Sequence, residues 1–164
     1  MKILCIQTGG TIDKDYPKTS KAYAFEISEP AMKRIFEKSN PAFEYDIISV
    51  LKKDSLDITA EDRQKIYDAC TAAATAKIII THGTDTMIET AKKLSSIKDK
   101  TIVITGSIRP ERFSNSDASF NVGTAIGALS YAKPGVYIAM HGNVYAWDNV
   151  TLDEKTHQFV ALRH

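Results

Sequence analysis

The segment that most constrains this chain is Lys77-Ile78-Ile79-Ile80-Thr81, followed by His82-Gly83-Thr84-Asp85-Thr86 and then Met87-Ile88-Glu89-Thr90. Three successive isoleucines are β-branched and apolar on both faces, as a strand buried within a parallel sheet requires, and the residues after Asp85 take up a helical pattern. A strand, a polar turn and a helix therefore follow one another without a linker. The turn carries an imidazole, hydroxyls and a carboxylate around one glycine, at the carboxyl end of a strand, where open α/β sheets bind ligands.

The same unit recurs along the chain. Lys2 to Gln7 is an apolar strand running into Thr8-Gly9-Gly10-Thr11-Ile12. Asp13 to Ala24 reads as an extended loop long enough to act as a lid. Ser28-Glu29-Pro30 opens a helix to about Lys38, with the serine as cap and the proline in the first turn. Phe43 to Val50 is the second strand, with Leu51 to Asp57 as its loop, and Thr59 with Asp62 resembles a capping box for a helix reaching about Thr75. Its inner face is Ile58, Ile66, Ala69, Cys70 and Ala73. Thr101 to Thr105 is the fourth strand, Asp117 to Tyr131 a helix of small residues, and Gly135 to Met140 the fifth strand. Val144 to Trp147 then returns as an antiparallel hairpin at an edge. From Asp148 onward the pattern is weak. Strand and helix alternate without repeats or linkers, which predicts one three-layer α/β/α domain over 1–164 with a mostly parallel sheet.

The 164 residues are 43% hydrophobic, enough for one sizeable core, and 21 basic against 20 acidic residues give a formal net charge of +1. That balance provides no field for nucleic acid and no polybasic stretch for a membrane, so neither is expected as a partner. Cys5 and Cys70 fall in a strand and a helix and read as reduced core residues. The chain enters its first strand directly from Met1-Lys2 and holds no membrane-length apolar run, so a cytoplasmic location is expected.

A parallel sheet brings the carboxyl ends of its strands to one edge, so Thr8 to Thr11, Asp54-Ser55, His82 to Asp85 and Gly106-Ser107 should converge. The crevice is rich in hydroxyls and backbone amides, with carboxylates beside them and no metal-ligand spacing, so no metal and no cofactor are expected. It suits a small ligand carrying both charges, and hydroxyl nucleophiles. Taken singly, each element has a plainer reading. The glycine turn lacks the lysine of a P-loop and the third glycine of a dinucleotide fingerprint. His82 reads as structural, Asp85 is equally a helix cap, Asp54-Ser55 a turn, and Arg109, Arg112, Lys14, Lys18 and Lys21 surface charges.

In combination these segments resemble the bacterial-type L-asparaginase (asparaginase/glutaminase) family. Thr8-Gly9-Gly10-Thr11-Ile12 matches its first motif and His82-Gly83-Thr84-Asp85-Thr86 its second, in order, and Gly106-Ser107-Ile108-Arg109-Pro110 and Asp117-Ala118-Ser119-Phe120-Asn121 resemble the segments that follow. The resemblance implies hydrolysis of the side-chain amide of asparagine, with glutamine as a further substrate, through a threonine acyl-enzyme. It implies Thr11 as nucleophile, Tyr23 as its assisting tyrosine, with Tyr16 the alternative in the same loop, and Thr84 as a second catalytic hydroxyl. Ser55 would hold the substrate α-carboxylate and Asp85 the α-ammonium, with Gly10 and Gly83 lending backbone amides for binding and for an oxyanion hole. A homodimer or higher homo-oligomer is implied as well.

The chain departs from the family pattern in places. Ungapped alignment after the hairpin puts Leu152 where the family has a lysine that works with the second threonine; Lys155 is the nearest substitute, at the wrong spacing. Leu56 stands where a polar substrate contact is usual. The family also has a carboxy-terminal domain that completes the site from a neighbouring subunit, and the expectation here is an amino-terminal-type domain alone, with weak activity, or an impaired module binding aspartate or asparagine, or a scaffold subunit.

Overall fold

A computed structural model describes residues 1–17 and 25–162. In chain order, β1 (Lys2–Gly9) leads through a 3-10 turn at Thr11–Asp13 to β2 (Lys14–Asp15), β3 (Glu26–Ile27), α1 (Ala31–Ser39) and β4 (Glu44–Lys53). A second 3-10 turn, Ser55–Asp57, precedes α2 (Ala60–Ala72), β5 (Lys77–Thr81), α3 (Met87–Leu94), β6 (Thr101–Thr105) and α4 (Ala118–Tyr131). The chain closes with β7 (Gly135–Met140), β8 (Asn143–Ala146), β9 (Thr151–Leu152) and β10 (Phe159–Val160).

The six-stranded sheet has the order β4-β1-β5-β6-β7-β8, and every neighbouring pair is parallel except β7 with β8. The isoleucines of β5 explain its central place. Ile78 and Ile80 enter a core with Ile6, Ile104 and Ile138 under Ile66, Met87 and Leu94 of α2 and α3, whereas Ile79 faces Ile3, Cys5 and Val103 under Met32, Phe36 and Val122 of α1 and α4. All three are fully buried. At roughly 1.5–3 kcal/mol per buried side chain, a strand apolar on both faces is stable only between two helical layers. The three-layer α/β/α architecture is thus the one expected.

Helix α2 starts at the capping box: the Asp62 amide donates to Thr59 Oγ1 at 3.2 Å and the Thr59 amide to Asp62 Oδ2 at 3.0 Å. Cys5 and Cys70 are buried free thiols, both pushed up to about 12 by burial. The β7–β8 hairpin turns through His141 and Gly142, at φ 55° and 80°, the left-handed pair that such two-residue turns need.

Several boundaries differ from the sequence reading. Pro30 is the residue flanking α1 rather than part of its first turn, and Ser28 does not cap it; instead the Ala31 amide donates to Asp13 Oδ1 at 2.7 Å. β4 runs to Lys53 rather than Val50, because β1 continues through a bulge so that Gly9 pairs with Lys53. The expected lid opens as a hairpin base, Lys14–Ile27 and Asp15–Glu26 pairing antiparallel. The weak tail folds into β9 and β10, where Phe159 is buried and pairs with Leu152.

Candidate active site at the carboxyl edge of the sheet

The loops after β1, β4, β5 and β6 meet backbone to backbone. A Cβ on Gly10 would lie 2.4 Å from the Gly83 nitrogen, one on Gly83 would lie 2.7 Å from Ser55 Oγ, and one on Gly106 would lie 2.3 Å from the His82 carbonyl oxygen. No side chain fits at these contacts, and Gly10 also has φ 82°. The convergence inferred from topology is therefore present.

These contacts decide where the expected site residues lie. Thr11 begins the 3-10 turn directly after Gly10, Thr84 directly follows Gly83, and both are half-buried. Ser55 is buried, and its hydroxyl donates to Asp85 Oδ2 at 3.5 Å; the Thr86 hydroxyl donates to the Ser55 carbonyl at 2.7 Å. Asp85 is exposed and supplies no capping bond to α3, so the plainer reading of it as a helix cap does not hold. The Gly10 amide is engaged by the Lys53 carbonyl at 3.0 Å, so it is not an oxyanion donor as expected; what Gly10 contributes is close approach. Tyr23, Lys18 and Lys21 lie outside the described residues, and Tyr16 packs edge-on against Phe25 at 5.4 Å.

His82 is structural. It is fully buried; its Nδ1–H donates to the Gly83 carbonyl at 2.7 Å, because a carbonyl only accepts, leaving Nε2 to accept from the Thr90 hydroxyl at 2.8 Å. Burial pushes the imidazole down to about 4, so it is neutral at ordinary pH. The surface charges are largely paired: Lys14 with Asp54 and Arg112 with Asp15, each at 2.9 Å.

The residues that hold the edge together were not evident beforehand. Asp13 is fully buried, its Oδ2 accepting from Thr81 Oγ1 at 3.1 Å, and burial pushes its carboxyl up to about 6 against those hydrogen bonds and nearby Arg34. Its position within Gly-Gly-Thr-Ile-Asp was the available signal. Asn121 donates to the Gly106 carbonyl at 3.0 Å and accepts from the His141 amide at 3.0 Å. The Asp117 carboxylate accepts from the amides of Ile108 and Arg109, each at 3.0 Å at its nearer oxygen. Leu56 is 75% exposed at the rim beside Ser55, whereas Leu152 is half-buried against the core shared with Phe159. Among the described residues no group of three His, Cys, Asp or Glu side chains is placed to hold a metal ion, and no helix is long and apolar enough to cross a membrane.

A family model described as "Asparaginase, N-terminal" matches residues 2–161. The chain belongs to the asparaginase family. Among relatives of this asparaginase-family domain, the glutaminase-asparaginase of Acinetobacter glutaminasificans is 27% identical over 173 residues, covering 97% of this chain and 52% of its own length. A glutamyl-tRNA(Gln) amidotransferase polypeptide of Methanococcus vannielii is 30% identical over 154 residues, covering 87% of this chain and 34% of that one. The solved structure of the thermostable L-asparaginase from Thermococcus kodakarensis superposes with a TM-score of 0.84 at 29% identity, over all of this chain and 52% of that one. The chain thus spans about half the length, or less, of the relatives it matches.

Proposed function

We propose that this asparaginase-family domain hydrolyses the side-chain amide of L-asparagine, and of related side-chain amides, to the acid and ammonia through an acyl-enzyme on Thr11. The observation that carries the reading is the contact between Gly10 and Gly83, which sets the turns bearing Thr11 and Thr84 side by side. In this reading the Thr11 oxygen attacks the amide carbon as its proton passes to a neighbouring hydroxyl, Tyr23 in first place. An unassisted threonine is a weak nucleophile and requires that help. Other amides of the two glycine turns receive the oxyanion. Collapse releases ammonia, with the Thr84 hydroxyl handling the proton, and water then cleaves the ester to free aspartate and restore Thr11. Ser55 and Asp85 bind the substrate's two charges, one partner for each. A cytoplasmic location and a homodimer or larger homo-oligomer belong to the same proposal.

A second reading is favoured by Leu152, which packs on the core opposite Phe159 where the family pattern has a lysine. The domain would then bind aspartate or asparagine, or serve as a scaffold subunit, without turning it over. Ammonia release by the unaltered protein and by Thr11→Ala, with calorimetric binding of L-aspartate, separates the two. Release abolished by Thr11→Ala with binding retained supports hydrolysis. Binding without release by the unaltered protein transfers the case to the binding module.

A further inference from the structure

We infer that Asp13 is a positioning residue for Thr11, its buried carboxylate fixing the turn that carries Thr11 against the end of β5 and the start of α1 together. The inference rests on the proposal that Thr11 is the nucleophile. Asp13 closes the 3-10 turn that Thr11 opens, its amide donating to the Gly10 carbonyl at 3.2 Å. Its oxygens go to different elements: Oδ1 accepts the first amide of α1, from Ala31 at 2.7 Å, and Oδ2 accepts the Thr81 hydroxyl at 3.1 Å.

The main chain of the turn is held with it. The Asp13 carbonyl accepts from the Ser28 amide at 3.0 Å and the Ile12 carbonyl from the Glu111 amide at 3.2 Å. Glu111 is itself bound by Arg34 and Lys38, so the charges that face this region from α1 are already paired. Thr81 is the residue before His82-Gly83-Thr84-Asp85, and its carbonyl accepts the Thr8 hydroxyl at 2.7 Å. Asp13 therefore ties the Thr11 turn to the strand end from which the Thr84 turn departs. Its carboxylate, an acceptor at both oxygens, serves the helix amide and the hydroxyl at once. Because a displacement of about 1 Å costs on the order of 100-fold in rate, such a link acts on turnover rather than on substrate affinity.

The test measures kcat and KM for L-asparagine in the unaltered protein, Thr11→Ala, Asp13→Ala, Asp13→Asn and Thr81→Val, well below the melting temperature of each. Thr81→Val removes the hydroxyl and leaves the Thr8 bond, which uses the main chain, so it reports even if Asp13→Ala does not fold. The expected result is a kcat lowered roughly 10–100-fold in Asp13→Ala, and less in Asp13→Asn and Thr81→Val, with KM within about 3-fold throughout. Thr11→Ala abolishing hydrolysis while the Asp13 and Thr81 variants keep kcat within about 2-fold overturns the inference and leaves the function standing. Losses that merely follow the unfolded fraction overturn it as well. Hydrolysis that survives Thr11→Ala, or its absence from the unaltered protein, removes the nucleophile and the inference with it.

Discussion

The Ser55 hydroxyl faces the Asp85 carboxylate across 3.5 Å, joining the loop after β4 to the loop after β5. The groups proposed to bind the two charges of an amino acid are thus adjacent, one buried and one exposed.

Asp85→Asn is expected to weaken L-aspartate binding by roughly 10–100-fold, the worth of one charged hydrogen bond. Succinamic acid, which lacks the α-amino group, should lose less than about 3-fold on the same energetic grounds. Isothermal titration of both ligands checks this, and equal losses would remove Asp85 from the role of ammonium anchor.

Gly10→Ala is expected to destabilise the domain by at least about 2 kcal/mol, since the added carbon meets the Gly83 backbone and the residue must hold a positive φ. Gly123→Ala is the control: nothing lies within 4 Å of its added carbon in α4. Helix propensity makes that change stabilising by about 0.5–1 kcal/mol. Urea unfolding of both variants reads the difference.

Asp13 and His82 make opposite contributions to stability as the pH changes. The carboxyl of Asp13 is raised from 3.8 to about 6, so its contribution is complete below about pH 4 and lost as pH rises through about 6. The imidazole of His82 is lowered from 6.5 to about 4, so its contribution is present above about 6.5 and lost as pH falls towards about 4. Over the shared interval the two offset each other. Asp13→Asn removes the first and exposes the second, by up to about 3 kcal/mol across the window. Melting temperatures at stepped pH should climb more steeply with pH in the variant than in the unaltered protein; parallel curves would contradict the assignment.

Leu152→Lys tests the missing proton relay. A lysine there can lay its stem on the core beside Phe159 and extend its ammonium outward, at a cost of about 1–2 kcal/mol in lost apolar burial. The expected outcome is a rise in ammonia release of at least about 10-fold, the lower range for general acid–base assistance. No rise, with the fold retained by circular dichroism, would favour the binding module.

Much of the fold was legible because its signals are local. Three isoleucines in β5 need no partner to announce a strand buried on both faces, and Thr59 with Asp62 needs only a spacing of three residues to cap α2. The order of the two glycine motifs likewise identified the edge where Thr11, Ser55, Thr84 and Asp85 gather. The start of α1 was misplaced for the converse reason. Its cap comes from Asp13, 18 residues away, and the proline simply sits outside the helix.

The sequence by itself determined the alternation of strands and helices, the parallel sheet and the shared edge, because apolar periodicity and turn chemistry act over a few residues. Only the tertiary structure decided how that edge is held. Asp13 meets Thr81 across 68 residues and Gly10 meets Gly83 through bare backbone. A hydrogen bond or a close approach between distant segments depends on the packing of the whole sheet, and neither leaves a pattern in neighbouring residues.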